Sequence, residues 1–409
     1  MADIHIDDLA EPTFTPEVDA IFEAMATMGA TCELDADALR RQAVAETGLD
    51  DFGDRDYEER LDVLLGALRD VPGLTDAGTF GFHSQVLQLL KNRLLLVDLL
   101  AREPGILDIE LEPPIVIVGL PRTGTTHLHQ LLATDARLRT LPYWESLEPI
   151  PLASEVGVEP DPRRARTDAS VWFVNEAMPL FPLMHEMTTD HIHEEIQLLA
   201  IDFSTMFFES LASVPAWRDH YRAHDQRPHY RFLLTVLRAL THLRGGNRWL
   251  LKSPQHLEQL PVLADVFPDA TVVVTHRDPV AVTVSMATMV AYTARTHAWP
   301  VDPVRIGRSW ADRIEVLLDA CLRDRDVLAP ERSLDVRFDD FMADDLATAR
   351  RVLDLADLPP TDVSDAAMRD YLESHQRGRL GRIDHRAADV GLDPDELRDR
   401  FAPYTERFL

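Results

Sequence analysis

Two observations predict an α/β chain built on one central parallel sheet with a helical lobe before it. First, short β-branched runs, Ile115 to Val118 and Thr271 to Val274, are each followed by a helix-period pattern. Runs of that kind read as strands buried on both faces, and their alternation with helices calls for parallel pairing through crossovers. Second, the chain before residue 109 carries helical periodicity only, in "VDAIFEAMATMGA", "YEERLDVLLGALRDVPG" and "FHSQVLQLLKNRLLLVDLLAREPG". Residues 1–108 therefore read as a helical N-terminal lobe and 109–409 as the sheet-containing domain.

The elements follow in order. Two prolines precede the first strand, which ends in a glycine bend, and Leu128, Leu131 and Leu132 then mark a helix that starts near Thr125. Residues 155–170, with two prolines and little apolar period, predict a surface connection. A long helical region is expected over about 190–243, then a strand at "RWLLK", a short helix through "LEQLPVLADVF", a strand at "ATVVVTH" and a helix from about Val280. Residues 291–305 predict a loop long enough to act as a lid.

Composition excludes several classes. The 409 residues hold 41 Lys and Arg against 70 Asp and Glu, a formal charge of −29. Such a surface repels nucleic acid and anionic membranes, and an anionic ligand must enter a locally basic cleft. Two cysteines, Cys32 and Cys321, supply neither a disulfide framework nor a zinc-ligand spacing. The longest apolar run, "LLLVDLL", is broken by Asp98 and too short to span a bilayer. A cytoplasmic protein without a transmembrane segment is the expectation.

The bend carries the first functional signal. Gly119 and Gly124 keep the spacing of the G-x-x-x-x-G-K-[ST] phosphate loop, but Thr125 stands where that loop has lysine, and the nearest cation is Arg122. Backbone N–H groups from Thr123 to Thr126 open a helix whose N-terminus adds about half a positive charge, so an anion belongs there. A magnesium-dependent kinase is a poorer fit, because it needs the lysine and a metal-holding aspartate. Only Asp278 approaches a strand end, and it follows His276 and Arg277. The second signal is "THRDPVAVTVS". It puts Arg277 at a strand end and Ser285 eight residues on, where a helix returns the hydroxyl toward the guanidinium. Two anion sites at neighbouring strand ends imply one ligand with phosphates at both ends, lying across the sheet edge.

Together "PRTGTT", "LLKSPQHLEQLP", "THRDPVAVTVS" and "RGRLG" resemble the sulfotransferases that use 3′-phosphoadenosine 5′-phosphosulfate, in particular a bacterial group with a PR[ST]GTT loop. The resemblance spans about residues 110–395 and implies a P-loop-like three-layer fold. It assigns Arg122, Thr123, Gly124, Thr125 and Thr126 to the 5′-phosphosulfate, and Arg277 and Ser285 to the 3′-phosphate. Arg377, Gly378 and Gly381 match the late glycine loop that closes on the 3′-phosphate, although Gln376 stands where many relatives have an arginine. Lys252 matches the lysine that carries the charge developing on the leaving phosphate. The base stays open between three readings: Glu145 in "LPYWESL", with an apolar wall to raise its pKa; His256 in "KSPQH"; and Glu194 or His193 in "HIHEE". No metal is implied. The acceptor is a hydroxyl-bearing small molecule, lipid or glycan, and the negative surface favours a lipid, sterol or aromatic hydroxyl over a polyanionic glycan. A nucleotide kinase and a non-catalytic nucleotide-binding protein on the same scaffold are the competing classes.

Overall fold

The computed structural model describes residues 3–376 and 378–409. Helices α1 (Pro16–Gly29), α2 (Ala36–Thr47), α3 (Tyr57–Arg69) and α4 (Asp76–Arg102) come first. Local chemistry fixes their ends. Thr15 caps α1 ahead of Pro16, whose missing N–H costs nothing at a first helical position, and Asp35 caps α2. Thr75 caps α4 by accepting from Gly78 N–H. The sequence pattern had shown three of these four; α2 is polar on most of its surface and buries only Leu39 and Ala43.

Four strands follow: β1 (Glu112–Gly119), β2 (Arg248–Lys252), β3 (Thr271–His276) and β4 (Ser333–Arg337), all parallel, in the order β2-β1-β3-β4. Alternate side chains enter opposite layers. Ile115, Ile117, Leu250 and Val273 pack with Leu128, Leu131 and Leu132, whereas Val116, Val118, Leu251, Val272 and Val274 join the larger core on the other face. Both faces are covered, which makes the three-layer α/β arrangement that the strand composition predicts. Each β-branched side chain so buried contributes about 1.5–3 kcal/mol. The larger core runs without a break from Ile6 and Leu39 through Leu198 to Tyr404, so the N-terminal helices share it.

Three expectations are corrected. Within the stretch read as a surface connection, Asp161 caps a real helix, α7 (Pro162–Ala177), and it follows α5 (Thr125–Leu132) and α6 (Tyr143–Leu147). The expected long helix is cut into short pieces after α8 (Phe181–Met184): α9 (Ile196–Ala200), α10 (Phe207–Leu211), α11 (Pro215–Ala223) and α12 (Arg227–Arg244). Pro215 and Pro228 impose two of these breaks, because neither can continue an incoming helix. After α13 (Leu260–Val266), helix α14 (Pro279–Thr293) runs into the expected lid, and α15 (Pro303–Asp324) begins just before that stretch ends. The residues between are tied down: Thr75 N–H donates to the His297 carbonyl at 2.9 Å, and Trp299 N–H donates to Gly73 at 2.8 Å. Among the described residues no helix is long and apolar enough to cross a membrane.

Candidate active site

All four strands point their C-terminal ends to one edge, where ligands of open α/β sheets bind. After β1 the loop bends through Arg122 at φ 69° and Gly124 at φ 85°, both left-handed. A side chain on Gly124 would press 3.3 Å from the ring of Phe338, the first residue of α16 (Phe338–Ala343), and one on Gly119 would sit 2.1 Å from Thr275 Oγ1. Thr123 fastens the bend. Its hydroxyl lies 2.7 Å from both the Leu120 carbonyl and Thr275 Oγ1 and is buried. The Thr123 side chain thus shapes the loop and does not face a ligand. The N–H groups of Arg122 to Thr126 donate to no protein acceptor among the described residues, as at any helix start, and remain available to an anion.

At one end of this loop two guanidinium groups meet. Arg277, at the end of β3, donates to the Arg122 carbonyl at 2.5 Å and lies 4.1 Å from the centre of the Phe338 ring. Arg122 Nε donates to Ser285 Oγ at 3.1 Å, and another of its N–H groups donates to the Met184 carbonyl. The side chain of Arg122 therefore joins Arg277 and Ser285, and only its backbone belongs with the loop. Among the described residues neither guanidinium has a carboxylate at ion-pairing distance. Burial, and then the neighbouring Arg277, push the Arg122 pKa down to about 10. Two half-buried guanidinium groups side by side, neither in an ion pair among the described residues, make a site suited to an anion, although Asp278 and Asp339 lie near enough to act on Arg277. His385 completes this end, with Nε2 3.1 Å from Ser285 Oγ. Burial and then Arg122 hold its pKa down at about 4, so it stays neutral. As a lone histidine outside any quoted motif, His385 gave no sequence signal.

Lys252 stands at the other end, on the last residue of β2. It is 2% exposed; its Nζ donates to Thr126 Oγ1 at 3.3 Å and forms an ion pair with Glu194. The neighbouring Glu195 supports the strand, since Oε2 accepts from Lys252 N–H at 2.8 Å while Oε1 lies 2.5 Å from His256 Nε2. Burial alone would raise the Glu195 pKa, but the His256 and Lys252 N–H bonds bring it below the ordinary value. His256 is fully enclosed, with Nδ1 2.7 Å from Tyr230 Oη. Both ring nitrogens are engaged, so His256 buttresses Lys252 and presents no free nitrogen to a substrate.

Glu145 is elsewhere. It is fully buried, with both oxygens on one Arg139 nitrogen at 2.8 and 2.7 Å and Oε1 on Arg244 at 3.1 Å. Arg139 pairs with the start of β2, through Arg248 and Leu250, whereas Lys252 ends that strand. The offset is two to four residues, about 7–13 Å along the strand. The expected apolar wall around Glu145 is of another kind: its aromatic neighbours are stacking partners of arginines, Trp144 lying 4.6 and 4.7 Å from Arg163 and Arg244, and Trp249 4.6 Å from Arg139. Glu145→Gln should therefore cost about 3 kcal/mol of stability by leaving buried charge uncompensated, read as a lower midpoint in urea unfolding.

The "HIHEE" segment is not helical up to Glu194, and Glu195 is the N-cap of α9. Tyr143 N–H donates to His191 at 2.8 Å and His193 N–H to Leu141 at 2.7 Å. Glu194 then reaches Lys252 and Glu195 reaches His256. Around Lys252 gathers a set of imidazoles: His185 and His191 with ring centres 5.4 Å apart, His191 and His193 at 5.9 Å, and Tyr143 4.7 Å from His193. Burial chiefly, with Lys252 adding to it, drives His129 to about 3 and His191 to about 4, and sends His185 and His193 well below the ordinary value. These rings are neutral near pH 7. In the late loop Gly378 and Gly381 take φ 71° and 108°, and Arg379 pairs with Glu186; Arg377 lies outside the described residues.

A family model described as "Sulfotransferase family" matches residues 113–362, from the start of β1 through β4 and the helices that follow it. The chain belongs to the sulfotransferase family. It is an enzyme of that class, and its fold agrees with solved members. Sulfotransferase STF9 from Mycobacterium avium superposes with a TM-score of 0.82 at 27% identity, over 92% of this chain and 97% of that one. Sulfotransferase STF1 from Mycobacterium tuberculosis H37Rv gives 0.79 at 29% identity, over 90% and 98%. Among curated proteins, omega-hydroxy-beta-dihydromenaquinone-9 sulfotransferase Stf3 of Mycobacterium bovis is 25% identical over 282 residues, 64% of this chain and 68% of that protein.

Proposed function

We propose that this sulfotransferase takes its sulfuryl group from 3′-phosphoadenosine 5′-phosphosulfate and passes it to the hydroxyl of an apolar, lipid-like acceptor. The observation that carries the reading is the adjacent pair of guanidinium groups, Arg122 and Arg277, neither in an ion pair among the described residues, at one end of a phosphate-type loop whose other end meets Lys252. Arg122, Arg277 and Ser285 would hold the 3′-phosphate. The free N–H groups of the loop, with Thr125 and Thr126, would hold the 5′-phosphosulfate. The donor fits: it brings negative charge to both ends and supplies an activated sulfuryl group. A nucleotide kinase fits poorly, because no lysine follows Gly124 and the charge at the β3 end comes from arginine.

Lys252 puts a positive charge beside Thr126, where the leaving phosphate gains negative charge. Glu194, paired with Lys252 and therefore held near the same point, takes the proton of the acceptor hydroxyl. The neutral imidazoles of His185, His191 and His193, with Phe181 and Tyr143, make an uncharged wall on this side. Such a wall suits an acceptor with an apolar body, in line with the hydroxylated menaquinone-type substrate in the name of the mycobacterial relative.

Donor recognition is tested by calorimetry with two ligands. Arg277→Ala should weaken adenosine 3′,5′-bisphosphate by about ten- to a hundredfold, the range for a lost charge-assisted hydrogen bond. Adenosine 5′-phosphosulfate, which has no 3′-phosphate, should bind the variant nearly as well as the wild type. Equal losses for both ligands would remove Arg277 from the 3′-phosphate. Transfer of sulfur-35 from labelled donor to hydroxylated quinones and sterols, with trehalose as a polar control, tests the acceptor class; label on trehalose alone would refute it.

A further inference from the structure

A second cluster with different chemistry lies away from the transfer site, where α3 faces α11. Near its C-terminus α11 carries His220, and its C-cap, His224, follows four residues on. That spacing puts both imidazoles on one helix face, and their ring centres are 4.2 Å apart. Glu59 on α3 faces them. One ligand atom from each of the three residues lies within 4.8 Å of the others. Glu59 has no lysine or arginine partner among the described residues, and it and His224 are exposed while His220 is half-buried.

The hydrogen bonding of His224 suits a cation. His224 Nδ1 lies 2.6 Å from the His220 carbonyl, so Nδ1–H donates and the lone pair is left on Nε2. A backbone carbonyl fixing the imidazole tautomer in this way is the usual outer-shell support of a metal-bound histidine.

We propose that Glu59, His220 and His224 form a binding site for a borderline divalent cation of the zinc type. Two imidazole nitrogens and one carboxylate are a donor set that zinc accepts, with a fourth position left for water. The cation joins α3 of the N-terminal helices to α11, which leads directly into α12 and its Tyr230, the residue that holds His256. It acts as a staple between the two segments and has no part in the transfer chemistry.

Zinc chloride titrated into the metal-free full-length protein against a chromophoric chelator tests this. One tight equivalent is expected, with slower hydrogen exchange in residues 57–69 and 215–223. His220→Ala and His224→Ala should each weaken it by at least about ten- to a hundredfold, the loss seen when even an outer-shell partner is removed. Glu59→Gln, which keeps size and polarity, should weaken it by about tenfold or more. Unchanged zinc affinity in the His220→Ala/His224→Ala double variant would overturn the site and send the metal to another histidine group. So would the absence of zinc binding in the wild type, or protection that appears elsewhere than α3 and α11.

Discussion

Lys252→Ala is expected to lower kcat by about 10² to 10³ while donor affinity falls much less. The expectation rests on where the ammonium is held. Its strand is fixed by pairing with β1, its own N–H is bonded to Glu195, and its Nζ touches Thr126 at the start of α5. A cation fixed there stabilises charge that arises only as the phosphate leaves, so its removal appears in turnover and not in ground-state binding. Steady-state kinetics with calorimetry of adenosine 3′,5′-bisphosphate separates the two. Equal losses in affinity and kcat would make Lys252 a donor-binding residue instead. Lys252→Arg should recover little, because a planar fork cannot replace a compact ammonium between Thr126 and Glu194.

Glu194→Gln should cost about 10² to 10⁴ in kcat with donor affinity intact, since the amide keeps size and hydrogen bonding but cannot take a proton. The neighbouring imidazoles of His191, held at about 4, and His193, held below the ordinary histidine value, are kept neutral chiefly by burial, whereas Glu194 is the carboxylate that the ion pair with Lys252 holds in place. His256→Gln should leave a different signature: a less stable protein and misplaced Lys252, because it removes the bridge between Tyr230 and Glu195. The kcat loss of that variant should accompany a lower unfolding midpoint, whereas Glu194→Gln should unfold much as the wild type does.

The parts of this site that were legible in the sequence are those made by local chain geometry. The β-branched run ending in Gly119, the helix starting at Thr125 and the eight-residue step from Arg277 to Ser285 each depend on neighbours in the chain, and the structure has them where periodicity puts them. Strand β4 escaped because it is a short edge strand with a single fully buried residue, Val336, and only Leu334 as a second apolar one. The partners of Lys252 escaped for another reason. Glu194 is 58 residues away and reaches it from an extended segment held by backbone bonds to Leu141 and Tyr143, a pairing without periodic trace. At Glu145 the sequence was ambiguous because an aromatic neighbourhood has two physical meanings. It can exclude water from a carboxylate, or it can offer ring faces to arginines, and here three tryptophan–arginine stacks surround a doubly paired carboxylate.

The central claim is that sulfuryl transfer takes place between Lys252 and Glu194 at the end of β2, and not at Glu145. Single-turnover transfer of sulfur-35 from saturating labelled donor, compared between Glu194→Gln and Glu145→Gln at equal concentrations of folded protein, tests it most directly. The account predicts a transfer rate reduced by about 10² or more in Glu194→Gln, and a rate close to wild type in Glu145→Gln despite its lower stability. Rapid transfer by Glu194→Gln together with loss in folded Glu145→Gln would contradict it.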